Sequence, residues 1–400
     1  MKRYDILVIG AGPAGATAAL SLARAGMSVA LVERSAFPRR KVCGEFISAT
    51  TWPLLRELGV ARELLAAAGP PVERVGLHAG AAQLEAPMPA PAASDAWGRA
   101  VGRDVLDGAI LDQALATGAE VYQPCEVTGW RDTGGEFQVT LRSGTAGEGA
   151  LGARVIVAAH GSWEHGGLAT QAPRSPHREG DLLGFKAHFH GASLSPGLMP
   201  LVLFPGGYGG MVHSDAGRVS FSCCIRRDAL RRARAAHPGL VAGEAVLLHA
   251  IESSAGVRLA LQGAKREAPW LSAGPIRPGI RTLARGRVFA VGNAAGEAHP
   301  LVAEGISMAI QSAWLLAGHL AAADSLADAA LERAAGGYSA GWRRNFTPRI
   351  RASSVFAALT TRGLPAATSV AVMRCAPAVL TWGARWSGKG SSLHRGELAA

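Results

Sequence analysis

Short, wholly apolar runs alternate along the chain with longer segments whose apolar residues recur at helical spacing, the pattern of an α/β protein. Residues 5–9 (Asp-Ile-Leu-Val-Ile) are a β-branched apolar run that predicts one buried strand. It passes directly into Gly10-Ala11-Gly12-Pro13-Ala14-Gly15, then into an Ala/Leu-rich stretch from Ala16 to Ala25 that predicts a helix. Gly26 stops the helix, and residues 28–32 form a second apolar strand that ends at Glu33. Further on, the pattern predicts a loop over 34–48 broken by Pro38 and Gly44, and a helix over Thr50 to Leu58. Next come a strand over Val75 to Leu84, a proline-rich connection to Ala93 and a helix opened by Arg103 that runs to Ala116. Residues 118–122, 137–141 and 154–159 read as strands.

From Leu182 the character changes. Leu183, Phe185, Ala187 and Phe189 alternate with Gly184, Lys186, His188 and His190, the period-two pattern of a half-buried strand. Residues 201–204, 210–213 and 219–225 add three more strands between glycine-rich turns, which predicts an antiparallel sheet. Residues 287–292 return to a buried strand, 305–320 form a long apolar helix, and the last seventy residues read as helical. The expected architecture is a Rossmann-like nucleotide-binding domain carrying an inserted antiparallel β-sheet substrate domain and a helical C-terminal region. Residues 1–74, 101–180 and 276–325 belong to the first unit, 75–100 and 181–275 to the second, and 326–400 to the third.

Composition narrows the class. With 48% hydrophobic and 18% charged residues, the 400-residue chain is globular. Its net charge of +11 comes mostly from arginine, clustered at 226–234 and 343–351. No zinc-finger spacing or RNA-binding aromatic signature accompanies that charge, so nucleic acid is a poor partner and a solvated helix face the better reading. Five cysteines without a CxxC pair argue against a metal site or a disulfide framework and for a reducing compartment. No signal peptide and no run of eighteen uncharged apolar residues is found, so a cytoplasmic location is expected. The apolar stretch from Leu364 to Trp386, interrupted by Arg374, either packs on the substrate sheet or rests on a membrane surface.

The glycine turn has specific chemistry. Gly10 permits the tight turn, Gly12 lets the backbone approach a pyrophosphate, and Gly15 lets the helix pack close to the strand. The pyrophosphate then meets the helix N-terminus, where free N–H groups and the dipole favour negative charge. Glu33, 18 positions after Gly15, stands where an acid meets a ribose.

A second motif, Gly292-Asn293-Ala294-Ala295-Gly296-Glu297-Ala298-His299-Pro300, continues as Leu301-Val302-Ala303-Glu304-Gly305-Ile306. Together with Gly10 to Glu33 and Arg103 to Asp107, it resembles the FAD-dependent oxidoreductases of the p-hydroxybenzoate hydroxylase fold. Within them it is most similar to the branch of geranylgeranyl reductases, aromatic monooxygenases and flavin-dependent halogenases. The resemblance implies FAD held by Gly10, Gly12, Pro13, Ala14, Gly15, Glu33 and Arg34. It places Asn293 by the ribityl chain and pyrophosphate, Pro300 to Gly305, with Glu304, along the flavin ring, and Arg103 against the flavin, with Gly292 and Ile306 as further cofactor-binding positions. Lys41-Val42-Cys43-Gly44 is similar to the Lys-x-Cys-Gly loop of the reductases, which brings Lys41 and Cys43 near the ring. Two positions depart from the family: Asn293 replaces an Asp, and His160-Gly161-Ser162 replaces an Asp-Gly pair, with Gly161 kept. The second departure puts the usual NADPH coupling in question. With one nucleotide fingerprint, NAD(P)H is expected only as a transient reductant, or a reductase partner delivers the electrons.

The expected function is an FAD-dependent oxidoreductase acting on a hydrophobic small molecule. We expect a monooxygenase of an aromatic or polyketide-like substrate, working through a flavin C4a-hydroperoxide, with an alkene reductase of the geranylgeranyl type as the alternative. A halogenase ranks lower because its WxWxIP stretch is absent, and a flavin-binding scaffold without turnover lower still. Candidate catalytic residues are Cys43 as a proton donor (or a small apolar filler), Tyr208, and His213 as a base alongside His188 and His190. Arg226 is a further pocket candidate, and Glu304 either bonds near the ring or caps the helix after it.

Overall fold

The computed structural model describes residues 1–91, 96–144, 147–162, 168, 170–171, 176–358 and 378–385. The elements used below are, in chain order, β1 (Lys2–Ile9), α1 (Pro13–Arg24), β2 (Val29–Val32), β3 (Arg74–Ala79), β4 (Ala82–Pro87) and α2 (Arg103–Ala116). They continue with β5 (Glu120–Tyr122), β6 (Cys125–Asp132), β7 (Phe137–Ser143), β8 (Gly147–Ala158), β9 (Leu182–His190), β10 (Leu198–Phe204), β11 (Gly207–His213) and β12 (Val219–Arg226). The remainder are α3 (Arg227–Ala236), α4 (Ala242–Ser253), α5 (Ala255–Leu261), β13 (Leu271–Ile276), β14 (Val288–Ala290), α6 (Gly305–Ala321), α7 (Asp328–Ala358) and α8 (Ala378–Ala384).

The first sheet has a parallel core in the order β14-β8-β1-β2-β5, with Ile6 level with Val29 on one side and Val155 on the other. Ile6, Leu7 and Val8 have no exposed surface, as expected of a strand covered on both faces. Helices α1, α2 and α6 pack together against this sheet. Two glycines make the β1–α1 turn possible. Gly10 adopts φ +101, and a Cβ there would sit 2.7 Å from the Ala159 carbonyl oxygen. At Gly15 a Cβ would lie 1.8 Å from the carbonyl oxygen of Gly10, so only glycine lets the helix start under the turn.

The second sheet runs β9-β12-β11-β10-β3-β4, antiparallel except where β10 lies parallel to β3. One face, through Phe185, Phe189, Phe204 and Phe221, packs on α4 and α5 residues such as Val246 and Val257. The other face carries Leu77, Leu203, Tyr208 and Cys224 and is closed in part by Leu380 of α8.

Several expected elements differ. The single strand over Val75 to Leu84 is a hairpin, because Gly80 takes φ +57 and turns the chain. Strand β6 and helices α4 and α5 have no counterpart in the sequence reading, whereas the arginine-rich run at 226–234 does form helix α3 with Arg231 and Arg232 exposed. Strand β9 was expected to be half-buried, yet Lys186 and His188 on its polar side are as buried as Phe185 and Phe189. Glu45, far back in the chain, and Glu267 face them, which local alternation does not register. Most of the Leu364–Trp386 stretch, and Cys375 with it, lies outside the described residues.

Candidate functional site

A single cavity of about 1250 Å³ runs from the β1–α1 turn to the second sheet. Gly10, Gly12, Pro13 and Ala14 line one end. There α1 begins at Gly12 with no side chain capping it, so its first N–H groups face the cavity. Gly15 does not line the cavity; it acts from beneath, under the Gly10 carbonyl. Glu33 directly follows β2 at the same place, 5% exposed. Its carboxylate accepts from the N–H of Ala11 and of Ser35, both at 2.9 Å, and from Arg39 at 3.3 Å. Burial alone would raise this carboxyl, but Arg39 and the two N–H donors outweigh it and hold it below its usual value. Arg34 lines the cavity from an exposed position.

Arg39 is a site residue that sequence reasoning missed. Within Arg39-Arg40-Lys41 it looks like solvent-facing charge, yet it is buried between Glu33 and Asp107 (3.5 Å) and stacks on Phe37. Lys41 lines the cavity beside it, and burial, reinforced by Arg39 and Arg103, pushes its ammonium down to about 8. Arg103, the first residue of α2, grips Asp107 with two bonds of 2.7 Å and also contacts the Cys43 thiol. Burial opposes its charge, but Asp107 prevails and raises its pKa. Cys43 is half-buried in the cavity wall, its sulfur accepting from the Glu45 N–H at 3.4 Å.

Gly161, Gly292, Asn293, Pro300, Gly305 and Ile306 line the middle of the cavity. Asn293 donates its amide N–H to Glu297 at 3.0 Å, and Arg281 reaches the other oxygen of that carboxylate at 3.3 Å. Burial raises the Glu297 carboxyl, with Arg281 opposing it in part. His160, which stands at the family's acidic position, is pushed down to about 4 by burial and is therefore neutral at pH 7. Glu304 does not line the cavity. It ends the turn before α6 without capping it, and its carboxylate turns instead into a buried cluster with Ser48 at 3.5 Å.

At the far end Tyr208 of β11 and His299 meet, Oη to Nδ1, at 2.6 Å. Both line the cavity and both are nearly buried. Burial pushes His299 down to about 4 and Tyr208, which also contacts Cys224, well above its usual value. The surrounding wall is apolar, with Leu77, Met88, Met199, Leu203 and Leu380. Three candidates lie elsewhere. His213 faces the helical side of the sheet and bonds the Leu194 carbonyl at 2.7 Å, so a role as cavity base does not fit its place. Arg226 is engaged with Asp228, and His190 is exposed at the strand end.

Among the described residues there is no cluster of three metal-ligating side chains and no helix long and apolar enough to cross a membrane. The uncapped helix N-terminus, the Gly10 and Gly15 contacts, the Glu33 carboxylate and a cavity of this length fit a bound dinucleotide. The family model described as FAD binding domain matches residues 3–335. The chain belongs to the FAD-binding domain family. Menaquinone reductase of Mycobacterium tuberculosis is 30% identical over 179 residues, 44% of this chain and 41% of that protein. Aklavinone 12-hydroxylase of Streptomyces peucetius is 35% identical over 214 residues, 47% of this chain and 39% of that protein. The chain thus matches under half the length of these curated relatives. A solved myxobacterial FAD-dependent halogenase, the chondrochloren halogenase, superposes with a TM-score of 0.77 at 21% identity, covering 100% of this chain and 99% of that one. That likeness shows the shared fold, which a protein described as a probable FAD-dependent monooxygenase of Pseudomonas aeruginosa and a geranylgeranyl bacteriochlorophyll reductase-like protein of Thermoplasma acidophilum share as well.

Proposed function

We propose that this FAD-dependent oxidoreductase is a monooxygenase that hydroxylates a hydrophobic, phenol-bearing small molecule. The observation that supports it is the Tyr208–His299 pair, set in an apolar wall at the end of the cavity away from the nucleotide turn. Bound FAD supplies the redox chemistry, and the chain's own residues bind, orient and move protons. In this reading the β1–α1 turn, Glu33 and Arg103 hold the cofactor, and the apolar wall excludes water from the substrate. His299 is neutral at pH 7 because burial holds it near 4, and Tyr208 stays protonated. A substrate hydroxyl can then donate a hydrogen bond to the Tyr208 oxygen while Tyr208 donates to neutral His299, and the pair takes up the hydroxyl proton as the ring is hydroxylated and that proton becomes strongly acidic. NAD(P)H serves as a transient reductant, because the chain carries one strand–glycine turn–helix unit and FAD takes it.

The alternative is an alkene reductase. It is supported by Cys43, a thiol in the cavity wall beside Arg103, and by the menaquinone reductase relatives. Turnover of a panel of phenols and polyprenyl quinones under ¹⁸O₂ with deuterated NADPH separates the two. The proposal expects phenol-dependent NADPH consumption and one ¹⁸O atom in the product. Deuterium in a saturated product with no ¹⁸O would refute it in favour of reduction.

A further inference from the structure

Glu45 has a backbone and a side chain that pull against ordinary preference together. It adopts φ +64, a region where glycine or asparagine is the usual occupant, and it is 1% exposed although charged. Its carboxylate is held from a distant strand. Lys186 and His188, two apart on β9 and so on one face, bracket it: Lys186 Nζ contacts Oε1 and His188 Nε2 lies 2.8 Å from Oε2. Ser214 donates to Oε2 at 3.1 Å. All three partners are buried. Burial would raise this carboxyl, yet His188 and Lys186 hold it down to about 2, so the carboxylate is ionised.

The backbone of the same residue carries the effect to the cavity. The Glu45 N–H donates to the Cys43 sulfur at 3.4 Å, and its carbonyl accepts from Val101 at 3.2 Å. Val101 leads into Gly102, whose N–H donates to Asp215 at 2.5 Å, and into Arg103. Ser214 bonds Asp215 as well as Glu45, at 2.8 Å. One residue therefore ties together four places: its backbone meets the Cys43 loop and the start of α2, and its carboxylate meets strand β9 and the turn before β12.

We propose that Lys186 and His188 are positioning residues that set Cys43 and Arg103 at the cavity by seating Glu45. Once Glu45 is buried and ionised, Lys186 and His188 keep it seated, and with it a loop that has no regular structure over residues 37–45. The inference does not depend on the reaction proposed above, because it concerns the loop in the protein without cofactor as well as with it.

The test is the rate at which iodoacetamide alkylates Cys43 in the full-length protein freed of FAD, followed by mass spectrometry of the Cys43 peptide. Lys186→Met strips the Oε1 side of the buried Glu45 carboxylate of its ammonium partner and leaves only His188 and Ser214 on Oε2, so the loop is expected to leave its seat more often. Alkylation should rise about ten- to a hundredfold, the ratio that follows from losing one charge-assisted bond in the closed state. Adding Glu45→Gln removes the stranded charge, and the double variant should return to within about threefold of the parent. An unchanged rate in folded Lys186→Met, or a double variant as reactive as the single one, overturns the proposal. Should Lys186→Met fail to fold, Ser214→Ala removes one donor to the other oxygen, Oε2, of the same carboxylate and should raise the rate about three- to tenfold; no rise would also overturn it. In the FAD-loaded proteins the flavin absorbance band should shift in Lys186→Met and return in the double variant.

Discussion

Replacing Tyr208 by Phe tests the proton relay directly. The substitution removes one hydroxyl from a side chain that is 2% exposed and keeps the ring that packs 5.1 Å from the His299 ring. His299 Nδ1 then loses its 2.6 Å partner in a place that is 9% exposed. Leaving a buried polar atom without its partner costs about 1–3 kcal/mol, so the melting temperature should fall by a few degrees and the protein should stay folded. The β1–α1 turn and Glu33 are untouched, so FAD affinity should stay within about twofold of the parent. Turnover is where the reading places the large effect: a lost general acid–base group lowers product formation about 10²–10⁴-fold. The pH profile carries a second check. His299 is depressed to about 4, so it is neutral above that pH, and the acid limb of the parent's profile should lie near pH 4 to 5 and vanish in His299→Gln. The assay is product formation with saturating NAD(P)H and the substrate found in the labelling experiment. Tyr208→Phe that keeps FAD and turns over within about threefold of the parent at every pH refutes the relay.

Other expectations can be read from the same geometry. Gly15→Ala would place a methyl group 1.8 Å from the Gly10 carbonyl oxygen, so the turn must shift, and the purified protein should carry little or no flavin absorbance. A yellow, stoichiometrically loaded variant would count against the turn as the pyrophosphate site. Glu33→Gln keeps the size but not the charge that Ala11, Ser35 and Arg39 address; FAD should bind about ten- to a hundredfold more weakly in a fluorescence-quenching titration. The FAD-free protein should lose stability as pH falls from about 6.5 to 4. His299 is depressed below its unfolded value, so its contribution is complete above about 6.5 and is lost as pH drops through its folded value. That amounts to about 3 kcal/mol for His299, with His160 adding in the same window, and chemical denaturation at pH 7, 5 and 4 measures it. A flat stability across that range would mean that neither imidazole is held neutral by burial.

The nucleotide end of this protein was legible in sequence because its constraint is steric and local. A backbone at φ +101 and a contact that excludes a Cβ can only be written as glycine, and the strands on either side are apolar enough to declare themselves. The buried charges were not legible, because their reason lies across the chain. Arg39 needs Glu33 and Asp107, and Glu45 needs Lys186 and His188, which stand 141 and 143 positions away. On β9 the alternation correctly separates Phe185 and Phe189 from Lys186 and His188, but period two says only that two faces differ, not that one is wet.

Tyr208 and His213 show the limit most sharply. Both stand on β11, and both are polar residues able to move protons. They are five positions apart, and on a pleated strand an odd separation puts two side chains on opposite faces. Tyr208 and Val212 turn to the cavity, while Met211 and His213 turn to the helices, where Met211 packs in the helix-side core and His213 meets Leu194. The parity was present in the sequence, but Gly206, Gly207, Gly209 and Gly210 hid where the strand begins, so residue 208 read as part of a turn. Parity says that the two residues face opposite ways once both are in the strand, and not which of the two faces is the cavity. His299, by contrast, directly precedes the Pro300–Gly305 stretch that the family resemblance sets along the flavin ring, and only its partner, 91 positions earlier, makes it half of a buried hydrogen-bonded pair. The pair therefore falls where the stretch after β14 meets the second sheet, and neither stretch of sequence records that meeting.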